Sequence, residues 1–202
     1  RHLATQILQD PATVQINHTM PAPTISHAFY QVAREQKTAL LKSLMDKQQM
    51  TSTLVFTRTK HKARSLARNL ENCGYKATSL QGNLSQNRRQ AALDGFRDGT
   101  YQILVATDIA ARGIDVTQVS HVINYDIPNT PEAYIHRIGR TGRAARSGEA
   151  FTLITSADNS MVHAIDRVIG ARIERRTLAD FDYRACAPPK ANADRRPGRQ
   201  PS

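Results

Sequence analysis

The densest chemistry in this sequence lies between positions 136 and 146. His136-Arg137-Ile138-Gly139-Arg140-Thr141-Gly142-Arg143, followed by Arg146, puts four arginines and no acid into eleven residues. Like charges at that density repel, and an ordinary solvated face would interleave acids with them. Guanidinium groups that donate in pairs, set among glycines that admit a close approach, suit a polyphosphate. Arg140 and Arg143 stand three apart, so on a helix they would aim two forks at one ligand. The competing reading of the cluster is a structural or protein-binding patch.

Three further groups fall where short apolar runs end. Thr57, Arg58, Thr59 and Lys60 follow Thr53–Phe56; Gln81, Gly82 and Asn83 follow Lys76–Leu80; Thr107 and Asp108 follow Gln102–Ala106. In open parallel α/β sheets, ligands collect at the C-terminal ends of the strands, where loops and helix N-termini gather. Hydroxyls and N–H groups there donate to phosphate oxygens, arginine adds charge, and glycine lets a ligand come close. Each group also has a plain reading, with Thr and Asn as helix N-caps and Gly82 as a turn residue. Three such exits together favour a phosphodiester backbone.

The elements that must position these residues follow from periodicity. Strands are predicted at Ser26–Ala33, Thr53–Phe56, Lys76–Leu80, Gln102–Ala106, His121–Tyr125 and Ala150–Thr155. Between them lie helices at Glu35–Lys47, Lys60–Asn72 (closed by Gly74), Ser85–Arg97, from Pro131 onward, and Asn159–Ile169. Short strands alternating with amphipathic stretches define α/β architecture around a mainly parallel sheet. Residues 1–24, with Pro11, Pro21 and Pro23, read as the end of a preceding unit and a linker. The α/β unit occupies 25–170, an extension 171–184, and the Pro- and Arg-rich stretch 185–202 reads as a disordered basic tail.

The composition narrows the function classes. In 202 residues there are 28 Lys plus Arg against 17 Asp plus Glu, a formal net charge of +11. Residues 185–202 carry four cations and one acid, +3 of that total, so the basicity is not only a tail effect. A nucleic acid is the expected partner. Two cysteines, Cys73 and Cys186, offer neither a disulfide framework nor a metal cluster, which points to a reducing, cytoplasmic setting. The longest apolar run, Ile103 to Ala106, is far too short to cross a bilayer, and no membrane partner is expected.

Two long stretches carry a family resemblance. Ile103-Leu104-Val105-Ala106-Thr107-Asp108-Ile109-Ala110-Ala111-Arg112-Gly113-Ile114-Asp115 is similar to motif V of the DEAD-box RNA helicases. Tyr134-Ile135-His136-Arg137-Ile138-Gly139-Arg140-Thr141-Gly142-Arg143, in the same order, resembles their motif VI. Leu54–Lys60 resembles motif IV, and Gln86-Asn87-Arg88-Arg89 the family's Q-x-x-R element. The resemblance covers roughly 25–170, and its nearest variant is the bacterial RhlE-type subgroup.

The resemblance implies a RecA-like three-layer α/β/α domain, the helicase C-terminal domain and second of two lobes. A chain that starts at Arg1 and has neither a G-x-x-x-x-G-K-[ST] loop nor an Asp-Glu-Ala-Asp run is then expected to be half of an active site. ATP and Mg2+ would be held mainly by the first RecA-like domain, with no metal ligand here. By resemblance Arg140 and Arg143 are catalytic arginine fingers, and Asp115 joins them in binding ATP through its ribose. His136 and Arg137 couple the two lobes, while Asp108 and Arg112 form salt bridges that shape the motif V loop. Gly82, Arg89 and Thr107 bind the RNA sugar-phosphate backbone, with Arg58 and Asn83 beside them. The family commonly has His where Gln81 stands, which keeps a donor and an acceptor. The whole protein would be a monomeric ATP-dependent RNA helicase that unwinds short duplexes by domain closure, this piece being inactive alone. The alternative is a non-catalytic RNA-binding or scaffold module with the same fold, and a DNA-repair helicase half fits the motif VI spelling less well.

Overall fold

The computed structural model describes residues 24–48, 50–111, 116, 119–142 and 147–184. Its elements are β1 (Ile25–Gln31), α1 (Lys37–Lys47), β2 (Thr53–Phe56), α2 (Lys60–Asn72), β3 (Ala77–Leu80) and α3 (Gln86–Arg97). They continue as β4 (Ile103–Ala106), α4 (Asp108–Ala111), β5 (His121–Asn124), α5 (Pro131–Ile138), β6 (Gly148–Ile154), α6 (Asn159–Ile169) and β7 (Glu174–Arg176). The linker, residue 49, Arg112–Asp115, Arg143–Arg146 and the basic tail lie outside the described residues.

Local chemistry sets the helix ends. Thr59 caps α2 by accepting from the Lys62 amide at 3.2 Å, and Thr130 caps α5 through the Ala133 amide at 3.1 Å with Pro131 in the first turn. At the far end of α2, Gly74 takes φ +88°, its amide donates to the Glu71 carbonyl, and Tyr75 N–H reaches the Leu70 carbonyl. This pattern stops a helix at a residue without a Cβ penalty.

The seven strands form one sheet in the order β3-β4-β2-β5-β6-β1-β7, and every neighbouring pair is parallel. Side chains alternate across it. Phe29, Leu54, Phe56, Leu104 and Val122 face α3, α5 and α6. Tyr30, Val55, Val105, Ile123 and Phe151 face α1 and α2. Two apolar layers on the two faces of one sheet give the expected three-layer α/β/α arrangement.

Two elements were not foreseen. The β7 triplet Glu174-Arg175-Arg176 has no apolar residue, and only its pairing with β1 makes it a strand. Charge is well suited to such an edge, where a further chain could otherwise add. The four-residue α4 is likewise too short to show a period. Beyond β7 the chain returns along α1: Lys47 Nζ pairs with Asp180 at 3.0 Å, and Gln36 Nε2 donates to the Asp182 carbonyl at 3.0 Å. Leu178, Phe181 and Tyr183 pack on the α1–α2 layer, so residues 171–184 belong to the packed body.

Candidate functional site

The sheet order puts the exits of β3, β4 and β2 next to one another, with strands roughly 4.8 Å apart. Side chains lock this edge together. Lys60 Nζ donates to Asn83 Oδ1 at 3.2 Å, bridging the β2 and β3 exits. The Arg58 amide donates to Asp126 Oδ2 at 2.9 Å, tying the same loop to the β5 exit and leaving the exposed Arg58 guanidinium outside. Thr107 accepts from the Ala110 amide at 3.4 Å, and Arg89 Nη2 donates to the Ala110 carbonyl at 2.9 Å, so both hold α4 in place.

Gly82 is different. Its φ is ordinary, and a Cβ added there would meet no atom within 4 Å. Neither backbone strain nor crowding within the lobe asks for glycine at that position, unlike at Gly74. Beside it Gln81 is buried, and Asn83 is held by Lys60.

Arg137 is the hub of the site. Its Nε and Nη2 grip Asp108 Oδ1 and Oδ2, each at 2.7 Å. Nη1 donates to Asn124 Oδ1 at 3.1 Å and to the Asp126 carbonyl at 2.8 Å, and the guanidinium stacks 4.9 Å from the Phe56 ring centre. Asn124 in turn donates to Thr152 Oγ1 at 2.9 Å. One planar cation thus joins the ends of β2, β4 and β5 to α5. Arg137, 3% exposed, spends its donors inside the lobe, and the salt bridge expected of Asp108 is made with Arg137, Arg112 lying outside the described residues.

The arginine end of the cluster sits elsewhere. Helix α5 starts beyond the β5 exit and runs back along the sheet, so that Thr141 bridges Val119, just before β5 begins. Thr141 donates to the Val119 carbonyl, and Thr24 Oγ1 donates to the Gly142 carbonyl at 2.6 Å. The helix stops at Ile138, and Gly142 adopts φ +68° with a Cβ position only 2.5 Å from Ile25 Cγ1, so the fold demands glycine there. Arg140 therefore lies beyond the end of the helix. Arg143 and Asp115 fall outside the described residues, while Arg140 lines a hollow of about 240 Å3 with His136, Asp108, Ala111, Ala133 and Phe56. His136 is exposed on that wall.

Lys37 was not foreseen. It is 5% exposed, donates to the Tyr125 carbonyl at 2.9 Å, and burial pulls its ammonium below the usual lysine range. A signal existed, because Lys37 occupies the apolar phase of α1 with Leu40, Leu41 and Leu44. A cation at such a position needs a buried partner.

An all-parallel seven-stranded sheet with helices on both faces is the architecture of a RecA-like helicase lobe. The helicase conserved C-terminal domain family matches residues 36–145. The DEAD-box ATP-dependent RNA helicase CshA of Geobacillus kaustophilus is 40% identical over 176 residues, 87% of this chain and 38% of its own length. The RNA helicase CrhR of Synechocystis sp. is 40% identical over 180 residues, 88% of this chain and 37% of its own length. The crystal structure of the E. coli DEAD-box protein SrmB, bound to regulator of ribonuclease activity A, superposes with TM-score 0.75 at 36% identity, covering 82% of this chain and 98% of that one. S. cerevisiae Dbp5 bound to RNA and ADP BeF3 gives 0.76 at 30% identity, over 87% of this chain and 47% of that one. The chain belongs to the helicase C-terminal domain family, in its DEAD-box branch. It spans less than two fifths of the length of these curated relatives, and they support the family rather than the RhlE-type subgroup in particular.

Proposed function

We propose that this lobe is the C-terminal half of an ATP-dependent RNA helicase and works with two separate surfaces. The observation that carries the reading is a division of the strand-exit edge. Arg140 and His136 wall a hollow with Asp108 and Phe56 beside α5, while Gly82, Asn83 and Arg89 lie across the exit row on the β3 and α3 side. One surface meets RNA, the other ATP held on the first lobe.

On the RNA side, Gly82, Arg89 and Thr107 contact the sugar-phosphate backbone, flanked by Arg58 and Asn83. Backbone contact makes binding independent of sequence and sensitive to salt. A glycine that the fold does not require is best explained by a ligand that comes close. Gly82→Ala is accordingly expected to leave the melting temperature within about 1 °C while weakening RNA binding severalfold, since the surface substitution disturbs no packing. Equal affinity in wild type and variant would remove Gly82 from the interface.

On the nucleotide side, Arg140 and Arg143 neutralise charge that develops during phosphoryl transfer, and Asp115 holds the ribose. When bound, Mg2+ would supply charge from the first lobe's side of the cleft. His136, on the wall shared with Arg140, is the lobe-coupling residue, and Arg137 positions both surfaces from within. Closure on ATP and RNA then bends one strand and opens a short duplex. No described helix is long and apolar enough to cross a membrane. The cysteine usage, with neither a disulfide framework nor a metal cluster in the sequence, supports a cytoplasmic setting.

The chain by itself is expected to show no RNA-stimulated ATP hydrolysis, whereas the protein with both lobes hydrolyses ATP when RNA is added. Robust turnover by the chain alone would defeat the half-site reading. Absence of turnover from the two-lobed protein, with RNA binding intact, would favour a non-catalytic RNA-binding module.

A further inference from the structure

Helix α2 carries a row of cations that no acid answers. Its packed face is Ala63, Leu66, Ala67 and Leu70. On the exposed side Lys60, Arg64 and Arg68 follow one another at intervals of four, with His61 beside them. Two shallow grooves flank this row. The first, about 240 Å3, is lined by Lys60, His61, Arg64 and Arg88 together with Gln81 and Asn83. The second, about 360 Å3, is lined by His61, Arg64, Ser65, Arg68, Asn69 and Asn72.

No carboxylate lines either groove, and among the described residues none pairs with His61, Arg64, Arg68 or Arg88. Like charges four apart weaken a helix, and these side chains are exposed. The larger cavity near the exits of β1 and β6, about 620 Å3, offers a contrast: there Arg34, Lys37 and Arg58 face Glu35, Asp126 and Asp158, and no excess charge selects an anion. The α2 grooves do select one. The first also shares Gln81 and Asn83 with the strand-exit row and His61 and Arg64 with the second, so the cationic surface is continuous with that row.

We propose that α2 extends the RNA path: the strand held at the exits of β3, β4 and β2 continues into the α2 grooves, where Arg64 and Arg68 bind its phosphates. The inference rests on the RNA reading of the strand exits. From Lys60 to Arg68 the helix rises about 12 Å, a length over which a nucleic-acid strand presents several phosphates. Contacts to phosphate carry no sequence information, so the extension adds affinity and salt dependence without sequence preference.

The test uses the two-lobed protein, an Arg64→Gln, Arg68→Gln double variant, and oligouridylates of about 5 and about 12 nucleotides. Glutamine keeps the helix propensity of arginine, and both sites are exposed. The variant is expected to bind the short RNA within twofold of wild type. It should bind the long one roughly tenfold more weakly at low salt, with a slope of log affinity against log salt reduced by about 1.4, at about 0.7 per phosphate. Unchanged affinity and slope for the long RNA overturn the proposal. If the double variant instead loses polyglutamate binding and keeps long-RNA binding, the surface serves an acidic protein and the proposal is equally wrong. Failure of the underlying reading looks different, since wild-type protein would then bind neither RNA.

Discussion

Arg140→Ala in the two-lobed protein is expected to lower RNA-stimulated ATP turnover about a thousandfold or more, with RNA affinity kept within twofold. The magnitude is that of removing a cation delivered from outside the nucleotide-holding loop, roughly 10³ to 10⁵ in rate. The selectivity comes from geometry. Arg140 walls a hollow beside α5 with His136, Asp108 and Phe56, whereas Gly82 and Arg89 stand across the exit row on the β3 and α3 side. The substitution leaves Gly142, Thr141 and Thr24 to hold the loop. Steady-state turnover at saturating RNA, with affinity measured separately, decides the matter. Turnover within tenfold of wild type would falsify the arginine-finger assignment, and a parallel loss of RNA binding would show that the two surfaces are not independent.

Arg137→Ala should act on stability first. Removing one partner of a buried, hydrogen-bonded ion pair costs about 3 to 5 kcal/mol, and the lower end applies because Asp108 retains 40% side-chain exposure. Asn124 also loses a donor at a fully buried position. For a domain of this size that loss corresponds to a melting temperature lower by about 6 to 12 °C. Arg137→Lys should recover only part of it, since an ammonium cannot grip both Asp108 oxygens while reaching Asn124 and the Asp126 carbonyl. Thermal melts of the three proteins provide the check. A melt within 2 °C of wild type for Arg137→Ala would mean that the network adds little. Asp108→Asn should resemble the lysine variant more than the alanine variant, because the amide keeps one acceptor for the fork.

Arg137 and Arg140, two arginines of one cluster, thus divide by burial. Arg137 is drawn inward because Asp108, Asn124 and Phe56 surround it. Arg140 is carried past the helix end by Gly139 and lines a hollow on the motif VI face. Their identical chemistry gave no hint of this division, since burial depends on which strands meet the helix face and not on the spelling of the segment.

Much was legible from residue order alone. Alternation of short apolar runs with helical periods reveals the α/β class, because side-chain period is a local property of helix and strand. Thr59, Ser85 and Thr130 mark helix starts, and Gly74 marks a helix end, through contacts within a few residues. The motif V and VI spellings named the family, which the comparisons confirm. Only the tertiary structure decided what depends on distant pairing: the strand order that sets three exits side by side, β7 made a strand by β1, and Lys37 drawn to Tyr125. It also buried Arg137 while leaving Arg140 half-buried on the same hollow, and left the α2 cations beside the exits without a paired acid. Local order specifies elements because their hydrogen bonds close over a few residues. Partners separated by 13 to 118 positions, as Asn124 and Arg137 or Thr24 and Gly142 are, meet only when the sheet brings them together.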